Sequence, residues 1–490
     1  MSHAIDFFRN RLDQMIDLRS PLAVLASRMP WQEIEDSLAH HFERRVKAGK
    51  KIESVGLFGP EVKVVGAGKS NAGRPRLPIR LMVSLLYLKH AFNESDEGVV
   101  ERWGETPTWQ YFSGMEYFEH RLPCDATLIS KFRKIIGEEG VERLLAQTIS
   151  TALNLKMIAP SALETVVVDT TVQPKAIAHP TDSRLLEVAR HKLVEAAKSA
   201  GIALKQTFVK EGKQLTRMAG RYAHAKQFRR MKKPISRQRT IVEKLIRQIQ
   251  CRMSAAAQGL KSVISQALEK AQRIVAQSQS QKSNGTPKIY SWHAPEAEVI
   301  AKGKARTPYE FGVKVGITST LKGNLLLGAR SFPHTPYDGH TLHEQLEQAS
   351  ILSDSTIKDV YVDLGYRGVD HQNPTVSIKH RGKYKRLSDK ERTLLKRRQA
   401  IEPIIGHLKS DHRLNRCHLK GADGDAIHAV LCAAGYNIRW LLRMIRKKGI
   451  RLYFFLIKLL ALSHFLTKIL PKISIDPFRL IPSTIQLVRI

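Results

Sequence analysis

Apolar residues recur along this chain with two different periods, and the switches between those periods mark out its organisation. Between residues 20 and 150 the period is helical. Trp31-Gln32-Glu33-Ile34-Glu35 opens an amphipathic pattern, and the dense run Ile79 to Leu88 reads as a buried helix. The basic, turn-rich link Gly73-Arg74-Pro75-Arg76-Leu77-Pro78 precedes that run. Asn93-Glu94-Ser95-Asp96 offers an N-cap for a further helix through Val99, Val100 and Trp103. Short helices, tight turns and flanking arginines predict a separately folded, all-helical N-terminal domain over residues 1–155. Such a domain could be a helix-turn-helix-like DNA reader, and a purely structural or dimer-forming domain would show the same pattern.

The pattern changes near Pro160. The β-branched run from Leu163 to Asp169 suits a buried strand that closes on Asp169. A helical pattern then returns as a basic insert over 183–281, with Asp182 as the cap of its first helix. Past the loop Ser283-Asn284-Gly285-Thr286-Pro287, Glu310 to Thr318 alternates as a strand. Lys322-Gly323-Asn324 is a turn, and Asn324 to Phe332 is the hairpin partner. A helix is expected over Thr341 to Leu352, following a turn at Tyr337-Asp338-Gly339. Strands are expected over Asp359 to Asp363 and Thr375 to Lys379. A basic helical region, Asp389 to Leu414, and an apolar helix, Gly421 to Ile445, come last.

With the insert removed, this order gives a mixed α/β sheet with a parallel component across a helical crossover. It resembles a ribonuclease H-like fold, here a catalytic domain over 160–447 interrupted by the helical insertion after its first strand. Residues 448–490 form a basic and apolar C-terminal tail. Its run Leu452 to Leu470 is interrupted by Lys458, His464 and Lys468, which argues against a membrane span. The last twenty residues carry Pro471, Pro477 and Pro482 and no sustained period.

Charge sharpens the picture. Lys and Arg number 80 against 45 Asp and Glu, a formal net charge of +35. Such a surplus favours a polyanionic partner, nucleic acid before acidic lipid. It concentrates between Lys205 and Arg247, where Arg229, Arg230, Lys232 and Lys233 are candidate contacts to the DNA backbone. The four cysteines are far apart and form no CxxC pair, so neither a disulfide framework nor a zinc site is expected. Reduced thiols and an N-terminus without an apolar leader fit a cytoplasmic, nucleoid-associated protein.

Three acids carry the candidate chemistry. Asp169 and Asp363 each end a β-branched run, and Glu402 stands in a basic helical segment. Oxygen-only ligands select hard cations, so Mg2+ is expected, with Mn2+ a workable substitute. Two such ions about 4 Å apart can serve the attacking and leaving oxygens of a phosphodiester. Asp169 would bridge them, Asp363 would hold the second, and Glu402 would complete the set. Glu310, at the start of its strand, is an auxiliary candidate, while Asp338 reads as a turn residue. On one continuous helix Arg398 and Lys409 fall within about 40° of Glu402, where they could grip DNA phosphates. Pro403 leaves two alternatives: the helix kinks, or a new helix begins there and Arg398 belongs to an earlier segment.

These residues carry a resemblance. The chain resembles DDE transposases of bacterial insertion sequences, in the group of the fifth insertion-sequence family. The matching segments are GRPRLPIRLMVSLLYLKHAFNESDEGVVERW, WQYFSG, VVVDTTVQPKAIAHPTDSRLL, PYEFGVKVGI, YDGHTL, VYVDLGYRG and IEPIIGHLKSDHRLNRCHLKG. Arg398, Glu402 and Lys409 meet the family's Arg-x3-Glu-x6-Lys signature, but Leu395 stands where a Tyr commonly precedes that Arg. The resemblance implies metal-dependent cleavage of double-stranded DNA at terminal inverted repeats. It also implies strand transfer into target DNA by a homodimer or higher homo-oligomer. A metal-dependent nuclease without strand joining, and a DNA-binding protein with a decayed core, are the competing readings.

Overall fold

The structure is a computed structural model and describes residues 10–43, 50–56, 59–65, 76–253, 261–279, 287–301, 308–368, 370–380 and 388–469. Gly73–Pro75 of the basic link, Ser283–Thr286 of the loop and the tail beyond residue 469 lie outside the described residues.

The N-terminal part begins with α1 (Leu12–Met15), α2 (Pro21–Arg28) and α3 (Trp31–Ala39). It is not all-helical. β1 (Lys50–Gly56) and β2 (Gly59–Val65) form an antiparallel hairpin that closes on the pair Gly56↔Gly59. The sequence there carries the β-branched Ile52, Val55, Val62, Val64 and Val65, with the second strand alternating Val62, Lys63, Val64, about two glycines, which is strand chemistry between helices. Then follow α4 (Ile79–Ala91), α5 (Asp96–Glu105), α6 (Pro107–Phe112) and α7 (Ala126–Asn154). Ser95 caps α5, its hydroxyl accepting from the Gly98 N–H at 2.9 Å.

These helices do not fold around a core of their own. Leu25, Ile34, Leu86, Trp103 and Leu144 belong to one contiguous buried cluster with Val166, Ile317, Leu327, Val360 and Leu431. One buried cluster therefore runs across the boundary near residue 155. α15 (Gly421–Ile469) joins the two parts, packing on α4, α7 and the sheet. Its Gly435 lies so close to α4 that an added Cβ would stand 2.5 Å from the His90 carbonyl carbon. α15 also runs beyond the expected end at Ile445 into residues assigned to the tail.

The main sheet contains β3 (Thr165–Pro174), β4 (Glu298–Ala301), β5 (Tyr309–Thr320), β6 (Leu326–Phe332), β7 (Asp359–Val362) and β8 (Ser377–His380). β5 pairs with β6 and β4 on one side and with β3 on the other, always antiparallel. β3–β7 and β7–β8 are parallel, so the sheet is mixed. β3 outruns its predicted end because β5 continues to pair with it as far as Pro174↔Gly312. Asp169 thus sits in mid-strand, opposite Ile317. Past the strand, Lys175 pins β3 to α15: its ammonium donates to Asp425 Oδ1 at 2.6 Å and lies 3.0 Å from Glu296 Oε1.

The insert comprises α8 (Asp182–Ser199), α9 (Val209–His224), α10 (Phe228–Cys251) and α11 (Lys261–Gln279). Leu186, Leu193, Leu245, Ile249 and Ile274 give it a hydrophobic core separate from the main one. Thr181, not Asp182, caps α8, its hydroxyl accepting from the Arg184 N–H. α12 (Asp338–Ser353) covers β5 and β6. α13 (Asp389–Arg397) ends in a 3-10 turn, Arg398–Ala400, and α14 (Ile401–Asp411) begins immediately after it. Pro403 therefore lies in the first turn of a new helix, where its missing N–H leaves no hydrogen bond unmade. Arg398 belongs to the turn before that helix.

Candidate active site

The parallel ladder between β3 and β7 brings two of the three acids together. Its last pair is Val167↔Tyr361. Asp169 and Asp363 each lie two residues beyond that pair, and positions two apart face the same side of a sheet. Both carboxylates therefore emerge on one face, where the two strands have just separated.

One cation meets both. Arg398 Nη2 lies 3.5 Å from Asp169 Oδ2 and 3.4 Å from Asp363 Oδ2. Arg398 is buried, 3% exposed, and its Nε has no hydrogen-bond partner. The residue expected at DNA phosphates is thus turned inward onto the carboxylates. Arg398 makes these contacts from the first position of the 3-10 turn between α13 and α14.

Each carboxylate is held by its backbone. Asp169 Oδ1 accepts from the Thr170 N–H at 2.8 Å, and Asp363 Oδ1 from the Gly365 N–H at 2.7 Å. Burial raises the Asp169 pKa to about 6; Arg398 opposes the rise, and Asp363 and Asp338 add to it. His380, fully buried at the end of β8, holds Asp370 through Nε2 at 2.9 Å and places Nδ1 3.5 Å from the Asp363 carbonyl oxygen.

Asp338, expected to be a plain turn residue, is the first residue of α12 and belongs to this site. Its Oδ1 accepts from Thr170 Oγ1 and Lys314 Nζ, each at 2.9 Å. A Cβ at Gly365 would stand 3.0 Å from Asp363 Oδ1 and 3.2 Å from Asp338 Oδ2, so this glycine lets the two carboxylates approach. The signal in the sequence was Lys314, a lone charge inside the apolar run Val313 to Ile317, which required a buried acid.

Glu402 stands apart. It is exposed in the first turn of α14 and makes no hydrogen bond or ion pair among the described residues. Lys409, on the same helix, lies 3.6 Å from Glu310 Oε2. Arg229, Arg230, Lys232 and Lys233 are exposed at the start of α10, on the insert. Leu395 fills a small apolar cluster with Val167, Tyr361 and Ile401 behind the site.

The donor set suits a hard divalent cation in part. Asp169, in mid-strand, and Asp363, just past the end of β7, offer oxygens on one face of neighbouring strands. Among the described residues, however, no three His, Cys, Asp or Glu side chains are grouped closely enough to hold an ion. The guanidinium of Arg398 supplies the positive charge between the two carboxylates. Among the described residues no helix is long and apolar enough to cross a membrane.

Residues 10–135 match the model of the Transposase domain (DUF772), and residues 272–438 match that of the Transposase DDE domain. Asp363 and Glu402 fall inside the second match and Asp169 between the two. A curated relative, "Uncharacterized protein ORF8 in nfe locus" of Rhizobium meliloti, is 44% identical over 223 residues, covering 46% of this chain and 95% of the relative. No solved structure matches. Enzymes of this class act on DNA and depend on a divalent metal, which the convergent carboxylates and the charge of +35 accommodate. The chain belongs to the DDE transposases of an insertion-sequence family.

Proposed function

We propose that this transposase cuts DNA at the terminal inverted repeats of its element and joins the freed 3′ ends to target DNA, with Asp169, Asp363 and Glu402 as its acidic triad and Mg2+ or Mn2+ as the metal. The strand order β6-β5-β3-β7-β8, with its first pairs antiparallel and the rest parallel, supports a ribonuclease H-like core carrying the insert after β3. The observation that carries the reading is the matched placement of Asp169 and Asp363 two residues past the last pair of one parallel ladder.

Asp169 and Asp363 would hold the metal. When bound, paired cations relieve charge on the phosphorus and activate the attacking oxygen. The chain's own residues prepare that site. The Thr170 and Gly365 N–H groups fix one oxygen of each carboxylate and leave the other to meet Arg398. Arg398 balances the paired negative charge when they stand alone. Glu402, at the start of the helix that follows Arg398, is the proposed third acid. Because they share one short segment, withdrawal of Arg398 and approach of Glu402 are expected to be one movement of the turn Arg398–Ala400. Arg398 and Lys409 then face DNA, as do Arg229, Arg230, Lys232 and Lys233 on the insert. Joining two ends requires at least a homodimer, acting in the cytoplasm on nucleoid DNA.

The test is metal-dependent cutting and joining of duplexes carrying the element's ends, with Asp169→Ala, Asp363→Ala and Glu402→Ala. Each variant is expected to lose both activities while retaining end binding. Full cutting by Glu402→Ala removes that residue from the triad. Cutting without joined products by the intact protein leaves a nuclease in place of a transposase.

A further inference from the structure

A polar cavity of about 320 Å3 lies between the N-terminal helices and the segment that links α14 to α15. Its floor is strongly cationic. Lys89 and Arg133, with 10% and 4% of their side chains exposed, share one carboxylate, Asp96. Lys89 Nζ lies 2.8 Å from Asp96 Oδ1, and the two terminal nitrogens of Arg133 reach Asp96 at 2.7 and 2.6 Å. Arg133 Nε, also buried, has no partner. Arg413, 8% exposed, donates to the Asn93 carbonyl oxygen at 3.1 Å. Among the described residues no carboxylate lies within ion-pair distance of it. Arg416 adds a further cation at the exposed mouth, opposite Glu97.

Three buried cations thus face one partly buried acid, Asp96, with Glu97 a second acid at the exposed mouth. A buried charge without a full counter-charge costs several kcal/mol, so such a surplus favours the entry of an anion. His90 and His428 line the same cavity, and burial together with these cations holds both below the usual imidazole pKa. They remain neutral, leaving a surplus of arginine and lysine whose donors match phosphate oxygens.

We propose that this cavity seats a backbone phosphate of the bound DNA. The inference rests on DNA being the substrate and adds a contact that anchors the duplex away from the carboxylates. α14, 11 residues long, runs from the turn before Glu402 to the segment carrying Arg413 and Arg416. At 1.5 Å per residue that is about 16 Å, a distance a duplex covers in about five base-pair steps. A single duplex is therefore long enough to span both places.

The experiment uses the full chain, without divalent metal, in two arms. In the first, melting temperature is measured in inorganic phosphate and in chloride at equal ionic strength. The second measures affinity for a 20-base-pair duplex against salt concentration. The wild type is expected to melt higher in phosphate. Arg416→Gln, an exposed change compatible with folding, is expected to lose most of that rise and to lower the slope of log affinity against log salt by about one. Arg413→Gln should do the same more completely. No phosphate-specific rise in the wild type overturns the proposal. A rise that Arg416→Gln removes, with an unchanged DNA slope, overturns the DNA assignment and leaves a free-phosphate site. Metal-dependent cutting is scored separately. A wild type that never cuts refutes the proposed reaction, whereas a wild type that cuts, with Arg416→Gln showing no change in slope, refutes this cavity alone.

Discussion

Asp169→Asn should make the metal-free protein more stable while abolishing cleavage. In the folded chain the Asp169 pKa stands at about 6, raised chiefly by burial. In an unfolded chain an Asp titrates near ~3.9. The difference of about two units, at 1.36 kcal/mol each, makes the ionised side chain a cost of about 3 kcal/mol at pH 8. A neutral amide of the same shape avoids that cost and can still accept from the Thr170 N–H. Loss of the contact to Arg398 works against the gain, but Asp363 remains 3.4 Å from that guanidinium. The pH dependence has a fixed sign. Because the folded pKa is the higher one, the wild type is unpenalised below about pH 4 and loses stability as pH rises through about 6. The advantage of Asp169→Asn should therefore be absent at pH 4, grow between about pH 4 and 6, and be complete at pH 8. Urea melts of both proteins in EDTA at these two pH values measure it as a shift in midpoint at constant slope. Equal midpoints at pH 8, or an advantage that persists at pH 4, would refute the claim that a desolvated charge at Asp169 strains the site. The pairing of higher stability with lost activity is what a site built for a cation should show.

Other substitutions probe how the site is carried. Lys175→Met leaves Asp425 and Glu296 without their cation and should cost about 3–5 kcal/mol. Burial already raises the Asp425 pKa, so the loss measured by thermal melting should shrink as the pH falls and that carboxyl protonates, and adding Asp425→Asn should recover part of it. Gly435→Ala forces a methyl against the His90 backbone of α4 and should lower stability by about 1–3 kcal/mol, read from urea midpoints. Asp338→Asn removes the counter-charge of Lys314 beside the two proposed catalytic carboxylates. Metal-dependent cutting should fall at least tenfold while the far-ultraviolet circular dichroism is unchanged, and normal cutting would reduce Asp338 to a helix-start residue.

Local chemistry was legible in the sequence. The runs before Asp169 and Asp363 announced strands, the pattern of the insert announced helices, and Ser95 announced the start of α5. Each depends on neighbours in the chain, through side-chain periodicity or a capping hydroxyl. The hairpin of β1 and β2 was equally local but lay hidden between stronger helical patterns. Other features depend on residues far apart in sequence. Register alone placed Asp169 beside Asp363, because the ladder Thr165↔Asp359 to Val167↔Tyr361 sets which residues emerge together. The joint before α14 turned Arg398 inward and left Glu402 exposed, a choice that Pro403 allowed in either direction. The link between Asp338 and Lys314 crosses from α12 to β5 and has no trace in either local segment beyond one unexplained charge. The sequence by itself determined most of the helices and strands and the charge, and it named the candidate acids. Only the tertiary structure decided which acids meet, because strand register and a single 3-10 turn are set by packing between distant segments.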